Sequence, residues 1–204
     1  MSAGDEPLGD SAEDLVEIVE ALDAPPVVFV GHSVSAMIGV LAAVRRPELF
    51  DRLVLVGPSP RYIDDEGYRG GFSAAEIDEL LDTMDENYLG WAQYIAPVIM
   101  GVPGSPELGQ ELAGSFCRAD PAIARHFART TFLSDNRADL ARVRTPALVV
   151  QCRDDVIAPQ EVGEYVHEHL PGSELVLLDA TGHCPNLSAP GELVAAMTSY
   201  LAAA

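Results

Sequence analysis

The chain of 204 residues is 48% hydrophobic and 22% charged, the composition of a globular protein with one sizeable core. Acidic residues outnumber basic ones 32 to 12, for a formal charge of −20, and the basic residues other than histidine are all arginine. Such a field repels polyanions and argues against a role on nucleic acid or on an anionic membrane surface. No apolar run reaches the roughly 18 residues that a membrane span needs. The start, Met1 to Glu6, is polar and acidic, unlike a signal peptide. Cys117, Cys152 and Cys184 make neither a disulfide framework nor a close metal-binding pair, so a reducing cytoplasm and no metal site are expected.

Ser11 is expected to cap a first helix whose apolar stripe is Leu15, Ile18, Val19 and Leu22, ended by Pro25-Pro26. Residues 27–30 are a wholly apolar run, as for a strand buried on both faces of a parallel sheet. A helix over about 36–46 is stopped by Pro47, and a second buried strand at 53–56 ends at Gly57-Pro58. From Arg61 to about Val143 no strand pattern occurs. There Ser73 to Glu76 opens a helix with a capping box and the stripe Ile77, Leu80, Leu81 and Met84. Ser105-Pro106 and Asp120-Pro121 each place a cap before a first-turn proline, so four or five short helices are predicted. A strand at 147–150, a helix at 159–170, a strand at 174–178 and a helix at 191–201 follow. The alternation gives an α/β class, with core portions at 1–60 and 144–204 and a helical insertion at 61–143.

Residues 30–36, Val-Gly-His-Ser-Val-Ser-Ala, lie between a predicted strand and a helix. A serine on so sharp a turn is pushed out of the strand end and tolerates only small neighbours two positions away. Gly31 meets that demand, and Ser35 stands where the usual pattern has glycine. The helix beginning near Val34 aims its first amides at an oxyanion beside Ser33. A merely structural turn has the same spacing, so partners are needed. They follow in the order acid then histidine: Asp154-Asp155 after the third strand and His183 after the fourth. All fall at C-terminal strand ends, where ligands of open parallel sheets gather. Asp154 and Asp155 compete for the acid role. His167 and His169, two apart on a helix, face different ways and make no metal pair. His32 is expected to pack in the turn, His126 lies in the insertion, and Cys184 reads as a small buried thiol.

These residues resemble the RsbQ-type α/β-hydrolases, bacterial stress-signalling proteins related to the plant strigolactone and karrikin receptors. The similar segments are residues 31–39, Arg46-Pro47-Glu48-Leu49-Phe50, residues 57–62, Gly70-Gly71-Phe72, Asn87-Tyr88 with Trp91, Asp154-Asp155 through Pro159, and Gly182-His183-Cys184-Pro185. The resemblance implies an α/β-hydrolase fold with a helical cap over a pocket. It implies Ser33 as nucleophile, His183 as base and then acid, and Asp155, four residues before the proline, as the orienting acid. The Val34 amide becomes half of an oxyanion hole. Ser33 would then attack an ester, lactone or enol-ether-type acyl carbon of a small apolar ligand, with no metal or organic cofactor. Phe72, Tyr88, Trp91, Tyr94, Phe116, Phe127 and Phe132 are the expected pocket walls. The resemblance also implies sigma-factor regulation through a PAS-domain phosphatase partner. A ligand sensor with little or no turnover, and a general metabolic esterase, stay open beside it.

Members of that family carry a β-hairpin, two further strands, a helix and the loop with the second oxyanion amide ahead of the elbow strand. The chain is expected to lack these N-terminal strands. Its elbow strand is then an edge with unpaired amides, and self-association through that edge and an impaired activity are expected.

Overall fold

The computed structural model describes residues 8–203. The chain runs α1 (Gly9–Ala21), β1 (Val27–His32), α2 (Val34–Arg45), a 3₁₀ turn at Pro47–Leu49 and β2 (Phe50–Val56). The helices α3 (Ala74–Glu86), α4 (Tyr88–Met100), α5 (Pro106–Arg118), α6 (Pro121–Phe132) and the one-turn α7 (Arg137–Leu140) follow. Then come β3 (Ala147–Asp154), α8 (Gln160–His169), β4 (Ser173–Thr181), the short α9 (Pro185–Ser188) and α10 (Pro190–Ala202). The four strands pair in parallel in the order 1-2-3-4, so every strand end that leads into a helix lies at one edge of the sheet.

Period-two alternation divides the core. Leu53, Leu55, Ala147 and Val149 face one side, where they share a cluster with α2, with Val166 of α8 and Leu170 just beyond it, and with α1. Val54, Val56, Leu148, Val150 and Cys152 face the other side, packed with Leu193 and Tyr200 of α10. β1 departs from the two-faced burial expected of it. Its Val28 and Val30 are 41% and 47% exposed, because α10 packs over β3 and β4 and leaves that face of the edge strand open. α1 also departs from its predicted stripe. It begins before Ser11, buries Ala12, Val16 and Val19, and leaves Ile18 and Leu22 in solvent. The face carrying Ala12, Val16 and Val19 is the one that packs into the cluster shared with α2.

The helices between β2 and β3 form a cap. Ser73 and Glu76 close the expected capping box, each side chain accepting from the other's backbone amide, and Asp120 accepts from Ala122 and Ile123. Ser105 precedes Pro106 as expected but makes no side-chain cap bond. The two stems of the cap are tied together. Arg61 pairs with Asp135 at 3.1 Å, and Arg137 bridges Asp135 and Asp65 while lying 4.9 Å over the Tyr68 ring.

Candidate active site

A single residue, Ser33, separates β1 from α2. Its φ of 57° and ψ of −126° lie where an L-residue is strained, at a cost of about 1–3 kcal/mol. Two backbone bonds hold it there: Ser33 N–H to the Val56 carbonyl at 2.8 Å, and Ala36 N–H to the Ser33 carbonyl at 2.9 Å. Gly31 is required by the same turn. A Cβ there would stand 2.7 Å from the Ser35 carbonyl oxygen and 2.8 Å from the Ala36 Cα. Ser35 itself is exposed, so the position where the usual pattern has glycine accepts a small side chain without a clash. Val34 opens α2, which leaves its amide without an intrahelical acceptor beside Ser33.

The three strand ends bring Ser33, His183 and Asp155 together. His183 Nδ1 lies 2.7 Å from Asp155 Oδ2, and His183 Nε2 lies 2.7 Å from Ser33 Oγ. A carboxylate only accepts, so Nδ1 carries the proton and the Nε2 lone pair faces the serine hydroxyl. His183 is 4% and Asp155 6% exposed. Asp155 Oδ1 accepts from the amides of Ile157 and Ala158 at 2.8 and 3.0 Å. Asp154 is exposed, and it contributes only its backbone carbonyl, which accepts from Gly182 N–H at 2.7 Å. Of the two competing acids, Asp155 is the one whose carboxylate lies against His183. Gly57, at φ +55°, passes under the imidazole: a Cβ there would meet His183 Cε1 at 3.2 Å. From the cap side, the Ile99 carbonyl accepts from His183 N–H at 2.8 Å.

Two neighbours went unread or were misplaced in the sequence. His32, expected to pack in the turn, faces the cavity and donates from Nε2 to the His183 carbonyl at 2.6 Å. Burial, and then the adjacent His183, hold its pKa below the ordinary value. Tyr62 is 2% exposed, and burial pushes its phenol up to about 12, with the nearby Ser33 side chain offsetting part of that rise. Nothing in the spacing around Tyr62 marks it, because the loop after β2 has no fixed period.

A cavity of about 560 Å³ opens over Ser33. His32, Ser33, Val34 and His183 form its sheet end, and the cap supplies a largely apolar wall. Of the expected wall residues, Tyr88, Trp91, Phe116, Phe127 and Phe132 line it, the first three as a stack with ring centroids 6.1 and 6.0 Å apart. Tyr94 does not. On α4 the cavity side is Tyr88, Trp91, Ile95 and Ile99, and helical spacing turns Tyr94 outward, 73% exposed. Phe72 does not either: it bridges to Ile63 and packs with Tyr62 and Ile77 in the cap stem. Cys184 lines the cavity as a buried thiol that burial raises to about 11. His126 and His169 are exposed, and His167 Nδ1 bonds Ser173 Oγ at 2.9 Å. Among the described residues no cluster of His, Cys, Asp and Glu is arranged to hold a metal, and no helix is long and apolar enough to cross a membrane.

Comparison with known proteins matches residues 2–197 to the alpha/beta hydrolase family. The chain is 43% identical over 182 residues to strigolactone esterase D14 of Arabidopsis thaliana, covering 89% of this chain and 68% of that one. It is 38% identical over 180 residues to karrikin insensitive 2 receptor IA of Petunia hybrida, covering 88% and 66%. Among solved structures, a hydrolase from Oleispira antarctica superposes with a TM-score of 0.91 at 40% identity, over 96% of this chain and 71% of that one. A strained serine between strand and helix, a histidine and a buried acid in line behind it, and these relatives make the chain a member of the alpha/beta hydrolase family.

Proposed function

We propose that the protein hydrolyses an ester or lactone bond of a small apolar ligand by serine catalysis. The observation that carries this reading is the unbroken hydrogen-bonded line from Asp155 through His183 to Ser33, opening into an apolar cavity. Ser33 Oγ attacks the acyl carbon while His183 Nε2 takes its proton, and Asp155 holds the tautomer and stabilises the imidazolium. The oxyanion develops beside the Val34 amide at the positive end of α2. His183 returns the proton to the leaving oxygen, and then activates the water that releases the acyl group from Ser33. The test is hydrolysis of p-nitrophenyl acetate and of a fluorogenic butenolide by the chain and by Ser33→Ala. Turnover that survives the substitution would end the proposal.

A second reading is ligand sensing in an RsbQ-like cytoplasmic stress pathway, with a PAS-domain phosphatase as partner. It is supported by the sequence resemblance, by a receptor among the relatives, and by the bond from Ile99 of the cap to the His183 backbone. That bond gives a ligand under the cap a mechanical route to the catalytic loop. Stimulation of such a phosphatase by Ser33→Ala with ligand would favour sensing over turnover.

A further inference from the structure

Resting on the hydrolytic reading, we propose that Gln151 is a positioning residue of the site: its side-chain amide holds Asp155 in the orientation that aligns His183. Gln151 stands inside β3 among Ala147, Leu148, Val149, Val150 and Cys152, and is wholly buried. An amide in that setting has to be matched by hydrogen bonds, since burial strips its water. Its Nε2 makes two. One goes to the Ala158 carbonyl at 2.6 Å, the other to Asp155 Oδ2 at 3.3 Å. These acceptors close the two ends of the turn 155–158, while Asp155 Oδ1 takes the amides of Ile157 and Ala158 within it. The turn that carries the acid is thus fastened from inside by one side chain.

Chemistry settles which way the amide points. A carbonyl and a carboxylate can only accept, so the NH₂ end must face both, and a flipped amide would set oxygen against oxygen. The cost of this arrangement is visible at the other end: Oε1 has no hydrogen-bond partner. An apolar residue would fill the same space with no unpaired acceptor, so packing alone does not explain a glutamine here. α8 makes room for it. A Cβ on Gly163 would come within 2.8 Å of Gln151 Cβ and Cγ and within 3.0 Å of Oε1. The oxygen that Gln151 reaches is also the one that binds His183 Nδ1 at 2.7 Å. A second donor on that oxygen fixes its direction and drains part of its negative charge. Both effects pass to the imidazole.

The test uses the whole chain with Gln151→Met, which keeps length without a donor, and Gln151→Asn, which keeps an amide that no longer reaches Asp155. With p-nitrophenyl acetate, kcat should fall about tenfold or more, within the range that small misplacements of a catalytic group produce, while KM stays within about twofold. The acidic limb of kcat/KM should move to higher pH, because an Asp155 that has lost a donor holds the His183 proton more tightly. The downfield proton resonance of His183 Nδ1–H should shift in parallel. Folded variants with the parent's pH limb and resonance would overturn the proposal, and so would failure of both variants to fold, which would make Gln151 purely structural. Should the unaltered chain show no turnover that Ser33→Ala removes, the hydrolytic reading falls instead. The resonance still tests Gln151 without turnover.

Discussion

Gly101, at the end of the cap helix α4, and Gly182, the residue before His183, meet backbone against backbone. A Cβ on Gly101 would stand 2.7 Å from the Gly182 Cα, and one on Gly182 would stand 1.9 Å from the Met100 carbonyl oxygen. Both have positive φ, 65° and 88°, so each glycine is required twice, by conformation and by space. This contact seats the cap on the loop that carries His183. Gly182→Ala is therefore expected to destabilise the fold by about 2–4 kcal/mol, from strain and overpacking together, and to lower ester hydrolysis even in the folded fraction. Urea unfolding checks the first part, with Gly191→Ala, where a Cβ meets nothing within 4 Å, as the comparison.

The acid can be assigned by substitution. Asp155→Asn should reduce kcat by about 10⁴, since an amide in place of the carboxylate favours the wrong imidazole tautomer. Asp154→Asn should change it by less than about threefold, because its side chain is exposed and makes no bond to the site. Steady-state kinetics on one aryl ester separates the two. Similar losses in both would contradict the geometry at Asp155.

On the cap, Trp91→Ala removes the middle ring of the Tyr88–Trp91–Phe116 stack. Its effect should appear as a rise in KM of about tenfold or more for apolar aryl esters, a loss of wall contact shared by ground and transition states. Tyr94→Ala should leave KM unchanged, as that ring points to solvent. A KM effect of equal size at both positions would place the ligand elsewhere.

His32 makes stability depend on pH in a defined direction. Its pKa is held below the ordinary 6.5, so the unfolded chain binds this proton more readily than the folded one. The contribution is present above pH 6.5 and is lost as pH falls below it, through the lowered folded value. His32→Gln should flatten this part of the acid loss of Tm between about pH 7 and 5, a window set by the unfolded histidine value. Thermal melts of both proteins across that range measure it; equal slopes would show that His32 does not titrate differently on folding.

The edge strand offers a separate test. Val28 and Val30 present exposed apolar side chains on β1, which ends the described sheet. Such an edge invites pairing with another chain, and a single charge on it blunts this. Static light scattering of the chain and of Val28→Lys should show concentration-dependent association in the first and less in the second. Monodisperse behaviour of both would remove the edge as an association surface.

Much of this molecule follows from local sequence. Gly31, Ser33 and the run into α2 are legible because a strand-to-helix turn imposes its residue demands within a few positions. The capping box at Ser73 and Glu76 is local in the same way, and the order serine, acid, histidine can be read along the chain, though the residues alone leave Asp154 and Asp155 competing. Other features depend on which surfaces meet. Whether Val28 and Val30 are buried depends on how far α10 reaches, and α1 turns Ala12 inward because α2 lies there to receive it. Gln151 sits in an apolar strand with no periodic mark, and its meaning arises only when the turn 155–158 folds back over it. Gly101 and Gly182 are 81 residues apart, and no local pattern relates them. Short-range sterics and hydrogen bonding write the elbow into the sequence, whereas burial and close approach between distant segments exist only once the tertiary structure has formed.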